Sequence, residues 1–132
     1  MSVMVRWWDE DQQTIILYEF TGKWTWSEFY PAYDESIRLM DSVEYKVDFI
    51  MDLLNSQHIP PGALQHLKRA ADFNHPNMGL AVYVGINPLI QALGRMFRKI
   101  YPASARYYPF DFAQTIEEAE MKIAQRRTAI PR

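Results

Sequence analysis

The stretch VDFIMDLLNSQHIPPGALQHL, residues 47–67, passes from a strand through a polar segment into a helix, and its reading decides the fold. Residues 47–54 are apolar apart from Asp48 and Asp52, the length and composition of a strand covered on both faces. Then the texture changes. Asn55-Ser56-Gln57-His58 is polar, Pro60 and Pro61 forbid a strand and pre-set a first helical turn, and Leu64, Leu67 and Ala71 recur at helical spacing. In open α/β sheets, ligands gather outside the carboxyl ends of the strands, so a site is expected at this passage.

Upstream, residues 3–8 and 14–20 are both strand-like, and the acidic turn Asp9-Glu10-Asp11 between them makes a hairpin the simplest connection. Trp7 and Trp8, neighbours on one strand, must point to opposite faces, so one of them needs a cover: a helix, a partner chain or a ligand. After Gly22-Lys23, Thr25 and Glu28 have capping-box spacing, and Phe29, Tyr33, Ile37 and Met40 line one helical face. Pro31 falls inside that helix, where it deletes a backbone hydrogen bond, and predicts a kink or a late start.

Downstream, Asn74-His75-Pro76-Asn77 is a break, residues 79–86 (GLAVYVGI) form a second buried strand, and Asn87-Pro88 is a helix start. Leu89, Leu93, Met96, Phe97 and Ile100 give that helix a broad apolar face, closed by Tyr101-Pro102. Residues 106–110 read as a last strand. Thr115 and Glu118 form another capping box, opening a helix with Ile116, Ala119 and Ile123, and residues 126–132 read as a frayed tail. The order β-β-α-β-α-β-α-β-α implies right-handed crossovers and a mixed, mostly parallel sheet begun by a hairpin, in a single domain over residues 1–132.

Composition narrows the function classes. The chain of 132 residues, 48% hydrophobic with a formal charge of -2, reads as an ordinary globular domain with no electrostatic reason to seek nucleic acid. Having no cysteine, it has no disulfides, thiol nucleophiles or zinc-thiolate sites, which suits a reducing cytoplasm. No apolar run approaches the roughly 20 residues of a membrane span, and the N-terminus lacks the basic-then-apolar order of a signal peptide, so a cytoplasmic protein is expected.

The opening hairpin, Thr25-Trp26-Ser27-Glu28-Phe29 after Gly22-Lys23, and Asp52-Leu53-Leu54 closing the third strand carry a resemblance, joined by residues 79–84 (GLAVYV), Tyr108-Pro109 and Glu117-Glu118-Ala119. In order and spacing, from about residue 3 to residue 123, the chain resembles the SpoIIAA-like or STAS family, the fold of the anti-sigma-factor antagonists, and within it the small bacterial STAS/SEC14-domain proteins. The resemblance implies an α/β SpoIIAA-like fold with four helices. It also implies a regulatory module switched by phosphorylation of a serine in an Asp-Ser-Ser-Gly motif at the helix start after the third strand. Here Asp52 matches the strand-end aspartate, but the motif falls on Pro60-Pro61-Gly62-Ala63 and the acceptor position is Gly62, so the switch does not carry over.

Other constellations point to no cofactor. His58, His66 and His75 are spaced by 8 and 9 residues, unlike a helical i, i+4 zinc pair, and read as surface or loop histidines. Ser56, His58 and Asp52 make a hydrolase triad only by inventory, with no Gly-x-Ser-x-Gly elbow, and the glycines form no phosphate loop. Arg95, Arg98 and Lys99, with Arg106 nearby, read as a solvated helix face or as a cluster for phosphate or an acidic partner. Trp24, Trp26, Phe29 and Tyr30 read as core or as a binding surface.

Two readings of function stay open, neither enzymatic. One is a binding or regulatory module that meets another protein through the Asn55 loop, self-associated as a homodimer because four tryptophans exceed what one small core readily covers. The other is a carrier or sensor of a small apolar or acidic ligand, by analogy with the CRAL-TRIO lipid-transfer domains this fold is similar to. Both place the site at Asn55, Ser56, Gln57, His58, Gly62 and Ala63. Pro60 and Pro61 supply no side-chain cap, so the N–H groups of Gly62, Ala63 and Leu64 should point outward to a carboxylate, phosphate or carbonyl oxygen, unless Ser56 caps them or water fills the place.

Overall fold

Asp9 fixes the first turn of the chain: its carboxylate accepts the N–H groups of Thr14 (2.9 Å) and Ile15 (2.8 Å) and the Thr14 hydroxyl. On either side run β1 (Val3–Trp7) and β2 (Ile15–Gly22), paired antiparallel with Trp7 opposite Ile16. The structure is a computed structural model that describes residues 2–73, 75–85 and 88–129, with residue 107 as backbone alone. The sequence expectations at Asn74, at Ile86 as the end of a strand, at Asn87 as a helix cap and at residues 130–132 lie outside the described residues.

From β2 onward every strand runs parallel to the last. The elements follow as α1 (Trp26–Asp41), β3 (Val47–Ser56), α2 (Ala63–Phe73), β4 (Met78–Val84), α3 (Pro88–Ile100), α4 (Pro102–Tyr107), β5 (Phe110–Ala113) and α5 (Ile116–Ala129). The sheet order is β1-β2-β3-β4-β5, with β3 paired to both β2 and β4. When parallel strands are laid down always on the same side, right-handed crossovers must all pass over the same face. That face is therefore covered by α1, α2, α3 and α4, over Ile16, Tyr18, Phe20, Phe49, Met51 and Phe110. The opposite face, with Leu17, Ile50, Val82 and Val84, is covered by α5 through Ala119 and Ile123. The doubly covered central strand expected of residues 47–54 is what forms, and Trp7 and Trp8 do part: Trp7 belongs to the first layer and Trp8 packs against the second.

Local chemistry explains α1. The Glu28 N–H bonds the Thr25 hydroxyl, the Thr25 N–H bonds the Glu28 carboxylate, and the helix starts at once, without the late start that Pro31 predicted. Phe29 and Met40 are buried, and Tyr33 and Ile37 pack at the core's margin. Ser36, also buried, takes the hydrogen of the Tyr18 hydroxyl at 2.5 Å and gives its own to the Tyr33 carbonyl at 2.7 Å.

Four expectations are corrected. Asn55 and Ser56 are the end of β3 rather than a loop, because Thr21 and Gly22 continue to pair with them. Pro60 and Pro61 stand before α2, not in its first turn: Gly62, at φ +87°, turns the chain, and its carbonyl accepts the His66 N–H. The last strand is Phe110–Ala113, not residues 106–110, since Pro102 opens the extra helix α4 and makes the described helices five instead of four. Residues 126–129 are no frayed tail: α5 continues through them, and Arg127 reaches the buried carboxylate of Asp48 at 2.8 Å and the Thr14 carbonyl at 3.0 Å.

Candidate functional site

The carboxyl ends of β2, β3, β4 and β5 all lie at one end of the sheet, and there α2 and α3 do not close completely over it. They leave a cleft of about 90 Å³. Its floor is Phe20, Leu53, Tyr83 and Phe112, and its sides are Ala63 and Leu67 of α2 facing Ile90 and Phe97 of α3. Trp24, Trp26 and Phe29 complete it at the start of α1. Gly94 lets α3 come this low: a Cβ there would lie 2.5 Å from Cζ of Phe112 and 3.0 Å from Cε2 of Phe110.

The wall is almost entirely carbon although polar side chains stand in it. Tyr83 and Tyr108 spend their hydroxyls on each other, and burial pushes both phenols up, Tyr108 to about 12, so neither ionises near neutrality. His66 lies flat on Trp26, with ring centroids 4.3 Å apart and planes 17° from parallel, and its Nδ1 is 2.5 Å from the Tyr30 hydroxyl. Desolvation and, after it, the Arg69 guanidinium hold the His66 imidazole below its usual value, which keeps the ring neutral and suited to stacking. Trp26 in turn donates its indole N–H to the Pro61 carbonyl at 2.8 Å, tying the turn before α2 to the start of α1.

Beside the cleft lies a second hollow of about 220 Å³, which shares Leu53, Ile59 and Ile90 with it and adds Ser56, Gln57, His58 and Leu89. The residues singled out from sequence are thus divided. Ser56, Gln57 and His58 line the hollow, and Ala63 lines the cleft. Gly62 sits against the His66 ring, 3.5 Å from Cδ2 to where its own Cβ would be, and Asn55 is exposed at the end of β3.

Ser56 is neither a helix cap nor a poised nucleophile. Its hydroxyl accepts the Trp24 indole N–H at 2.9 Å and donates to the His58 carbonyl, not to its imidazole, at 3.0 Å, while Asp52 takes the Leu54 N–H. Among the described residues no three His, Asp or Glu side chains gather as a metal site, and His75, buried, bonds Asp41 at 2.7 Å. The basic cluster separates too. Arg95, Arg98, Lys99 and Arg106 are all exposed, but Arg98 alone of them is seen to donate to the Phe110 carbonyl (2.7 Å), over the Phe110 ring, among the described residues.

Sequence reasoning missed the α3 side of the cleft. A signal was available, since glycine in a helix interior costs about 1 kcal/mol relative to alanine and so asks for a packing reason, which at Gly94 is the approach of two aromatic rings. No family model, curated protein or solved structure matches this chain.

Proposed function

We propose that this chain is a non-enzymatic binding module of the SpoIIAA-like (STAS) type, whose cleft between α2 and α3 receives a small apolar ligand as a carrier or sensor. The observation that carries the reading is the carbon-walled cleft at the carboxyl ends of four parallel strands, the place where open α/β sheets bind ligands. Support for the family reading comes from the mixed sheet begun by a hairpin. Gly62 at the acceptor position argues against a phosphorylation switch in such a module. A native mass spectrum of the chain purified gently from its source tests the reading: a ligand mass should accompany the parent and be lost from Leu67→Trp, which fills the cleft. A parent that never carries added mass, and whose melting temperature no small apolar compound raises, would sink it.

A second reading, a partner protein, is supported by Leu89, Met96 and Ile100, which recur every seven and four residues along one side of α3 and are each about half exposed. Cytoplasmic residence and a homodimer belong to the same proposal. The described residues contain no helix long and apolar enough to cross a membrane. Trp7 and Trp24 are buried within the chain, and for self-association we assign the side of β1 with exposed Met4 and half-buried Trp8. Light scattering at high micromolar concentration should show twice the monomer mass, and a monomer would remove the dimer from the proposal.

A further inference from the structure

Resting on the ligand reading above, we propose that one amphipathic molecule spans the cleft and the neighbouring hollow, with its apolar body between α2 and α3 and a carboxylate against Gln57 and His58. Size is the first argument. Pockets that bury a drug-sized ligand start at roughly 300 Å³, which neither the cleft at about 90 Å³ nor the hollow at about 220 Å³ reaches alone but which the two together do. They are neighbours, with Leu53, Ile59 and Ile90 lining both.

Chemistry divides the occupant in the same way. The cleft has almost no polar surface, so a polar atom placed there would lose its water and gain no partner. The polar end must therefore lie outside, in the hollow. There Ser56 has already given its hydrogen to the His58 carbonyl, but the side chains of Gln57 and His58 are exposed and make no hydrogen bond among the described residues. An amide NH₂ and an imidazole N–H are donors, and they suit an oxygen acceptor. Among the described residues no Asp or Glu lines either space to repel an anion, and no Lys or Arg is present to hold a multiply charged phosphate. A monocarboxylate on an apolar body fits that combination.

The test compares octanoate with 1-octanol, equal in chain length and different in head, by backbone amide shifts of the isotope-labelled full chain at neutral pH. Expected is binding of both, octanoate at least fivefold tighter, with octanoate shifting the amides of Gln57 and His58 as well as those of Leu67 and Phe97. The Gln57→Leu/His58→Leu variant, altered only at exposed positions, should bind octanoate no better than octanol and keep the octanol affinity of the parent. Equal affinities, or shifts confined to the cleft, overturn the spanning ligand while leaving the cleft a binding site. If neither compound shifts any cleft residue at millimolar concentration, the cleft reading falls and this inference with it.

Discussion

Asp48 is fully buried on β3, and its carboxylate is held by the Arg127 guanidinium at 2.8 Å and the Leu80 N–H at 2.8 Å. Removing one partner of a buried pair leaves a charge out of water, typically at about 3–5 kcal/mol. Arg127 is partly exposed, so Arg127→Met should fall at the lower end, about 3 kcal/mol, as read from urea unfolding. A loss under 1 kcal/mol would mean the carboxylate is adequately held without it. His66 gives a pH signature. Its folded-state value lies below the ordinary one, through desolvation first and Arg69 second, so the unfolded chain takes up the proton that the folded chain resists. The contribution is therefore complete above the unfolded imidazole's pKa and declines as the pH falls through it toward the folded value. Urea midpoints of the parent should drop between about pH 7 and pH 5, and His66→Phe should drop less. Parallel profiles would show that another group sets the acid limb.

Helices show where sequence sufficed and where it did not. Thr25→Ala removes one half of a complete capping box and should cost about 1 kcal/mol, whereas Pro31→Ala restores a donor inside α1 and should stabilise, by up to about 3 kcal/mol. Thermal melts of the two variants should move in opposite directions. At α5 the Glu118 N–H bonds the Thr115 hydroxyl, but the Glu118 carboxylate lies 3.8 Å from Lys122, so the spacing predicted a box of which the Thr115 half is seen. The largely apolar runs of residues 14–20 and 47–54 made the central strands legible, since a strand covered on both faces has no polar side to show. Residues 102–113 were not legible. Tyr107-Tyr108 has strand propensity, and only tertiary pairing of Phe110 with Ala81 and Phe112 with Tyr83 tells that the strand begins after Pro109. The site was half legible for the same reason: polarity marked Ser56, Gln57 and His58, but nothing local announces that Leu67 and Phe97 face each other across a gap.

The whole molecule is unequally clothed, with four helices on one side of the sheet and α5 alone, among the described residues, on the other. Ile123, almost wholly buried against that second face, should accordingly be costly to truncate: Ile123→Ala is expected to lose about 2–5 kcal/mol of unfolding free energy. A change under 1 kcal/mol would show that the face closes over the loss. Strand order adds something in time. Since β1 through β5 lie side by side in the order in which they are made, each new strand can dock on the edge left by its predecessor as the chain emerges from the ribosome. The exception is Asp48, whose guanidinium partner is supplied 79 residues later. The last helix to be made therefore returns to the central strand, and its Arg127 fastens the end of α5 to a carboxylate laid down much earlier in synthesis.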